Sequence, residues 1–370
     1  MSLITIDDQG HSLYYEDTGS PSNARGIYTT FMIVHGTGFH GQIFRRLLPF
    51  APQHNIRLVF INRRDYPRSS PYINEDLEKI SANDAGMNNE FAKARASEFA
   101  RFIKTFIEKE NIPKASSDWK RGGIVLMAWS SGNAYTLPLL SYADSIPEDT
   151  RLFIEPYLRS LILFDMPRWI VGVPQLPDPL RDDSLSEEER VQRFNIWVSS
   201  YYSHKSLTSR NIIDLERVAD NDPSIRKSTF EALTREEIKE TAYAPPSMGS
   251  ELAFRNGSPA IYVERVRCAL FDDELAKYWP RFGVDVVWGE KSIWVVVDAT
   301  WELQKAREKA DKEGIVGRPL RFFMIPGANH FVSGASTLIK LDCQEFMYLS
   351  QPHWDKPEMA MKFFANIIDH

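Results

Sequence analysis

Short apolar runs alternate with amphipathic segments along most of this chain. The runs span 28–34, 58–61, 124–128, 161–164, 284–288 and 320–325. Unbroken runs of this length are typical of strands that are buried on both faces. Segments 90–112, 300–312 and 357–367 lie between or after them and predict helices. Strands that alternate with helices predict an α/β protein with a mostly parallel sheet.

Two further patterns refine this arrangement. Residues 2–6 and 12–16 alternate between apolar and polar positions around a polar turn, which predicts an N-terminal hairpin. The 90–112 helix carries its apolar residues on one face, but Arg95 falls inside that face. We expect the Arg95 side chain to extend along its own stem toward solvent.

The alternation stops between residues 167 and 281. This segment is rich in Pro, Trp, Tyr and charged helical stretches. It predicts a cap (lid) inserted into a core formed by residues 1–166 and 282–370. We expect most of the aromatic residues of the cap to form a small core of its own. The remainder would line an apolar ligand pocket.

Composition excludes several classes of protein. The chain has 370 residues, of which 43% are hydrophobic, and a net charge of −6 without a basic block, so nothing indicates nucleic-acid binding. Its two cysteines, Cys268 and Cys343, match no metal spacing. We find no signal peptide and no run long enough to span a bilayer. We therefore expect a cytoplasmic protein with no metal, cofactor or membrane partner, and the sequence leaves its oligomeric state open.

The strand at 124–128 ends in the sequence A-W-S-S-G, with Ser130 at its centre. In the G-x-S-x-G nucleophile elbow, the residues two before and two after the serine are small. Ala128 and Gly132 meet that requirement here. A second Ser-x-Gly begins at Ser247, but it follows two prolines, which are incompatible with a central strand. The sequence therefore favours Ser130 as a nucleophile over the alternative of a polar turn.

A glycine-rich turn, H-G-T-G-F-H, begins at His35 directly after the 28–34 strand. Upstream of a nucleophilic serine, such a turn supplies half of an oxyanion hole. We assign the two donors to the backbone N–H groups of Thr37 and Ser131. The alternative is a glycine-rich turn that binds no ligand.

The general base is expected in the loop that follows the last strand. His330 lies there, in the sequence P-G-A-N-H-F. Ser130 needs such a base to become nucleophilic near neutral pH. The order serine, acid, histidine along the chain is the one expected of this arrangement.

Two carboxylates compete for the third position. Asp165 directly follows the 161–164 strand, whereas Glu290 follows the 284–288 strand. After the later strand Ser292 stands where an aspartate would be expected, and Asp298 is more distant. The sequence favours Asp165, which would hold the imidazole tautomer without accepting the proton, and leaves Glu290 as the alternative acid.

With these residues in this order, the chain resembles the α/β-hydrolase superfamily over about 2–165 and 284–370. The resemblance implies an eight-stranded, mainly parallel sheet with Ser130 above its centre and a helical cap inserted after the sixth strand. Segment 62–71 is similar to a loop common in that superfamily, and its charges would hold the loop in place. Segment 194–204 resembles fungal hydrolase-like proteins of secondary metabolism.

Three functions are compatible with this resemblance. The first is a serine hydrolase, similar to carboxylesterases or lactonases, that cleaves a small hydrophobic ester, thioester or lactone through an acyl-enzyme. The second is non-hydrolytic chemistry on the same fold, such as carbon–carbon cleavage, a lyase reaction or cyclisation. The third is a ligand receptor without turnover. Epoxide hydrolase and dehalogenase chemistry is disfavoured, since those relatives place a carboxylate at the elbow.

Overall fold

A twisted, mostly parallel sheet runs through the molecule. The structure is a computed structural model that describes residues 2–22, 26–82, 84–174, 178–220, 227–331, 339–340 and 357–369. The strands of these residues are β1 (Ser2–Thr5), β2 (Ser12–Asp17), β3 (Thr29–Val34), β4 (Ile56–Ile61), β5 (Ile124–Trp129), β6 (Leu158–Phe164), β7 (Gly283–Gly289), β8 (Leu320–Ile325) and β9 (Ile339–Lys340).

Their order in the sheet is β1-β2-β4-β3-β5-β6-β7-β8-β9. The six strands from β4 to β8 run parallel, and the β1–β2 hairpin pairs antiparallel at one edge. The two-residue β9 adds a short antiparallel pairing to β8 at the other edge. The predicted eight-stranded, mainly parallel sheet is thus confirmed, with β9 as a short addition. β5 occupies its centre, and all six of its residues are buried.

Two strands begin earlier than their apolar runs indicate, because each contains a buried arginine. β4 begins at Ile56 rather than at residue 58 and includes Arg57, whose guanidinium pairs with Asp17 and Glu110. β6 begins at Leu158 rather than at residue 161 and includes Arg159, which hydrogen-bonds to backbone carbonyls. Arginines that are ion-paired or hydrogen-bonded can occupy buried positions that a hydrophobic pattern does not recognise.

Helices cover both faces of the sheet. Those of the core are α1 (Asn74–Ser81), α2 (Ala85–Glu110), α3 (Asn133–Thr136), α4 (Pro138–Ser141), α5 (Glu148–Ile154), α13 (Trp294–Lys312) and α14 (Pro357–Asp369). α13 starts six residues before the predicted residue 300, because its first turns are buried all round and show no helical periodicity. Within the described ranges, no helix is both long and apolar enough to cross a bilayer.

Arg95 of α2 does not extend toward solvent, so that expectation is wrong. Its side chain is buried and forms ion pairs with Glu98 and Asp76. Arg64 contacts the same two carboxylates from the loop after β4. The buried acids compensate both guanidinium groups, which removes the reason for Arg95 to reach water.

Between β6 and β7 the chain forms the helical cap predicted after the sixth strand. Its helices are α6 (Glu187–Ser199), α7 (Thr229–Ala232), α8 (Arg235–Thr241), α9 (Pro245–Met248), α10 (Ser250–Arg255), α11 (Pro259–Leu270) and α12 (Asp273–Ala276). The limits of the cap at 167 and 281 stay a prediction.

Among the described residues, the aromatic side chains of the cap do not form the separate core that we expected. Phe254 packs against Phe91 of α2 and Tyr135 of α3, with ring centroids 5.0 and 5.2 Å apart. Trp169 and Tyr262 join the same hydrophobic cluster, which extends through the core. These cap aromatics contact one another and also the core, and they therefore fix the cap onto the core.

Candidate active site

The carboxyl ends of the parallel strands bring the predicted site residues to one edge of the sheet. Ser130 follows β5, Asp165 follows β6 and His330 lies in the loop after β8. The turn that contains Thr37 follows β3, beside β5. This is the edge at which open α/β sheets bind their ligands.

Ser130 occupies a strained turn between β5 and a short 3-10 helix, Ser130–Gly132. Its φ angle is +55°, in the left-handed region that non-glycine residues rarely adopt. A Cβ on Gly36 would lie 2.7 Å from Ser130 Cβ, and one on Gly132 would lie 2.5 Å from the carbonyl oxygen of His35. Both positions therefore require glycine. The tight turn leaves the Ser130 side chain half-buried, whereas its neighbour Ser131 is buried.

His330 lies directly beside Ser130, although 200 residues separate them in the chain. His330 Nε2 is 2.9 Å from Ser130 Oγ. The indole N–H of Trp129 donates to the carbonyl oxygen of His330 over 2.8 Å, and the two rings are 5.2 Å apart. The residue before the serine thus fixes the loop that carries the imidazole.

Asp165 contacts the other nitrogen of the same ring. Its Oδ2 lies 3.0 Å from His330 Nδ1 and accepts a second hydrogen bond, of 2.7 Å, from Ser292 Oγ. Its Oδ1 accepts from the backbone N–H of Gly289 over 2.9 Å. The carboxylate is fully buried, and these three donors fix its orientation.

The alternative acid lies elsewhere. Glu290 Oε2 accepts from the backbone N–H of Gly327, at 2.5 Å. Both nitrogens of His330 are occupied by Ser130 and Asp165, so no site on the ring is left for Glu290. The more distant Asp298 pairs with Arg168. The structure therefore brings Asp165, and not Glu290, to the histidine.

Thr37 and Ser131, the residues assigned to the oxyanion hole, contact each other. Thr37 Oγ1 donates to Ser131 Oγ over 2.8 Å. Within the described part of the chain, neither backbone N–H donates to a protein acceptor. By contrast, the N–H of Gly38 is occupied by Tyr66 Oη at 3.0 Å. The free backbone N–H groups of Thr37 and Ser131 thus lie where the carboxyl ends of β3 and β5 meet.

His35 is part of the framework of the site. Its Nδ1–H donates to the carbonyl oxygen of Gly36 over 2.9 Å, and its Nε2 accepts from the backbone N–H of Arg63 over 3.1 Å. Burial, reinforced by the charge of Arg63, lowers the pKa of His35 well below its usual value. The ring is therefore neutral and connects the turn after β3 to the loop after β4.

Several contacts around the site could not be anticipated from the sequence. The backbone of the cap pairs with the turn after β3, since His40 N–H donates to Thr241 O and Tyr243 N–H donates to Gly38 O, over 3.0 and 2.7 Å. The buried Arg63 contacts Gly36 O and forms an ion pair with Glu251 of α10. The cap therefore positions the turn that carries Thr37.

No protein-family model matches this sequence, and no curated protein matches it. Solved structures are similar to it at low identity. A thermophilic esterase from Thermogutta terrifontis is 16% identical, with a TM-score of 0.46 and coverage of 99% of this chain and 96% of the other. The thioesterase domain from the curacin biosynthetic pathway is 14% identical, with a TM-score of 0.46 and coverage of 100% and 98%. A bromoperoxidase from Bacillus anthracis is 10% identical, with a TM-score of 0.44 and coverage of 89% of this chain and 92% of the other. By its own strand order, elbow and inserted cap, this chain has the α/β-hydrolase fold.

Proposed function

We propose that this protein is a serine hydrolase that cleaves a neutral carboxylic ester, thioester or lactone through an acyl-enzyme. The observation that carries the proposal is the continuous contact from Ser130 Oγ through the His330 ring to Asp165. This arrangement of hydroxyl, imidazole and carboxylate is the constellation that acyl-transfer enzymes use on several unrelated folds.

In the acylation step, Ser130 Oγ attacks the carbonyl carbon of the substrate while His330 Nε2 takes the hydroxyl proton. Asp165 stabilises the resulting imidazolium through Nδ1–H. The free amides of Thr37 and Ser131 donate to the oxyanion of the tetrahedral intermediate. The intermediate collapses when the carbon–oxygen or carbon–sulfur bond to the leaving group breaks, and His330 returns its proton to that group.

In the deacylation step, a water molecule replaces the leaving group. His330 Nε2 removes a proton from the water, whose oxygen attacks the acyl carbon, and the same two amides stabilise the second oxyanion. The bond to Ser130 Oγ then breaks and the serine regains its proton. The products are a carboxylic acid and the free enzyme.

The surroundings of the site favour an uncharged, partly apolar substrate. Phe39 forms edge contacts with Phe230 of the cap and with Phe331, the residue after the histidine. Phe194 of α6 belongs to the same hydrophobic cluster. Apolar surroundings of this kind favour apolar acyl or alcohol groups. The narrower interpretations, lactonase activity and a role in secondary metabolism, depend on the substrate and remain part of this proposal.

Hydrolysis of p-nitrophenyl butyrate by purified Ser130→Ala protein tests the proposal. We expect kcat to fall by roughly 10⁴-fold or more, because the nucleophile is lost while the fold is retained. Ser145→Ala is a matched control, since Ser145 is exposed and its hydroxyl contacts only the backbone of Tyr142. Equal turnover by the Ser130→Ala and Ser145→Ala variants would contradict the proposal. A parent protein that a fluorophosphonate labels but that hydrolyses no ester would point to non-hydrolytic chemistry.

A further inference from the structure

Two polar side chains of the cap are buried beside the turn that carries Thr37, and each has an unpartnered atom. Asn195 lies on α6 and is only 4% exposed, and Ser247 lies on α9 and is only 1% exposed. Neither Asn195 Oδ1 nor Ser247 Oγ forms a hydrogen bond within the described residues. Two separate helices thus direct an unpartnered polar atom to the same region.

The common neighbour of these two atoms is Gly38. A Cβ placed on Gly38 would lie 3.3 Å from Asn195 Oδ1 and 3.6 Å from Ser247 Oγ. The φ angle of Gly38 is +78°, a conformation that disfavours any other residue, so position 38 supplies no side chain that could pair with these two atoms. The backbone of Gly38 cannot supply the missing partner either, since its N–H and its carbonyl already bond to Tyr66 and Tyr243.

An unpartnered buried polar atom is costly. Its desolvation is not offset by a hydrogen bond, and native proteins contain few such atoms. Leucine and alanine would fill the same positions without that cost and would suit the hydrophobic cluster to which the neighbouring Phe194 and Met248 belong. A ligand that supplies the missing hydrogen bonds accounts for both side chains at once.

The position of the pair relates it to the proposed chemistry. Gly38 directly follows Thr37, so its Cα is about 3.8 Å from that of the residue whose amide would hold the oxyanion. A group bound beside Gly38 would therefore lie close to the backbone that is proposed to hold the oxyanion. The pair is thus placed next to the turn after β3 that takes part in the proposed chemistry.

The charges nearby indicate that the bound group is neutral. The guanidinium of Arg63 is paired with Glu251. Burial lowers the pKa of His40 to about 4, so this ring carries no charge near neutral pH. Asn195 Oδ1 accepts a hydrogen bond and the Ser247 hydroxyl can donate one. A hydroxyl group on the ligand can donate to the first and accept from the second at the same time.

We infer that Asn195 and Ser247 form a polar subsite that binds a neutral hydroxyl group on the substrate, next to the carbonyl that is attacked. The inference rests on the proposed function and narrows its substrate class from hydrophobic esters to hydroxy-substituted ones. In this arrangement the substrate hydroxyl donates to Asn195 Oδ1 and accepts from the Ser247 hydroxyl.

The test compares p-nitrophenyl 3-hydroxybutyrate with p-nitrophenyl butyrate, which differ by one hydroxyl group. We expect the kcat/KM of the parent protein to be roughly tenfold higher for the hydroxy ester, because one buried hydrogen-bonded group gives a preference of about this size. Asn195→Leu and Ser247→Ala should each bring this ratio close to one. Ser184→Ala, an exposed serine of the cap, is the matched control and should keep the ratio of the parent.

A parent ratio near one, or a ratio that neither substitution lowers, would overturn the inference. Binding separates this failure from failure of the proposed function. Titration of Ser130→Ala protein with ethyl 3-hydroxybutyrate and ethyl butyrate measures the same preference without turnover, and we expect about tenfold tighter binding of the hydroxy ester. If Asn195→Leu does not fold, Ser247→Ala removes only one oxygen atom and decides the question alone.

Discussion

Replacement of Asp165 by asparagine would reverse the hydrogen-bond direction at His330. Asp165 Oδ2 lies 3.0 Å from His330 Nδ1 and accepts a hydrogen bond from its N–H group. In Asp165→Asn, the Oδ1 position can still accept from Gly289 N–H, which leaves the NH₂ group facing the histidine. That group donates to Nδ1, so the ring proton moves to Nε2. Nε2 then faces Ser130 with a hydrogen and cannot act as a base.

The expected effect is large because the base is lost while the geometry is retained. A wrong histidine tautomer in a serine–histidine–aspartate constellation costs about four powers of ten in kcat. At 1.36 kcal/mol for each power of ten, this corresponds to about 5 kcal/mol in the activation barrier. Glu290→Gln should lower kcat less than about threefold, because Glu290 accepts from the backbone of Gly327 and does not contact the imidazole.

Initial rates with p-nitrophenyl butyrate measure both effects, and urea unfolding verifies that each variant is folded. Asp165 is fully buried, so some loss of stability is expected along with the loss of rate. A folded Asp165→Asn variant that keeps more than a tenth of the parent kcat would refute the assignment of the acid. A greater loss in Glu290→Gln would transfer that role to Glu290.

Three other predictions concern the framework of the site. Gly36→Ala should lower kcat/KM roughly 100-fold, because the new Cβ displaces Ser130 Cβ from a distance of 2.7 Å; ester hydrolysis measures this, and an unchanged rate would contradict it. Glu251→Gln should lower the free energy of unfolding by about 3 kcal/mol, since it leaves Arg63 as an uncompensated buried charge; urea unfolding measures this. Burial lowers the pKa of His40 to about 4 from 6.5, so as the pH falls from 6.5 to 5 the unfolded chain takes up a proton that the folded chain does not bind. Stability then falls by about 2 kcal/mol for this group, and His40→Gln should show a smaller loss between pH 7 and pH 5.

The sheet and two of the site residues could be predicted because their signals are local. Ser130 directly follows a buried apolar strand and has small residues at the required spacing, and His330 follows the last predicted strand. The sequence favours Asp165 but does not separate it from Glu290. The separation depends on which strand end lies nearer His330 in space, and no pattern within either segment reports this.

The remaining parts of the site depend on contacts between distant segments. Ser292 stands in the sequence where an aspartate would be expected, but its hydroxyl donates to Asp165, 127 residues away. The sequence predicts that Arg95 reaches solvent, because the burial of its pair with Glu98 depends on Asp76 and Arg64, which lie in other segments. Asn195 and Ser247 carry no motif, and only the docking of the cap brings them to Gly38.

The central claim is that Ser130 is a nucleophile activated by His330. Labelling with a fluorophosphonate, followed by mass spectrometry of the proteolytic peptides, tests this claim most directly. The account predicts one adduct, on Ser130, whose formation is strongly slowed in His330→Ala. An adduct on another residue, or unchanged labelling of Ser130 in His330→Ala, would contradict it.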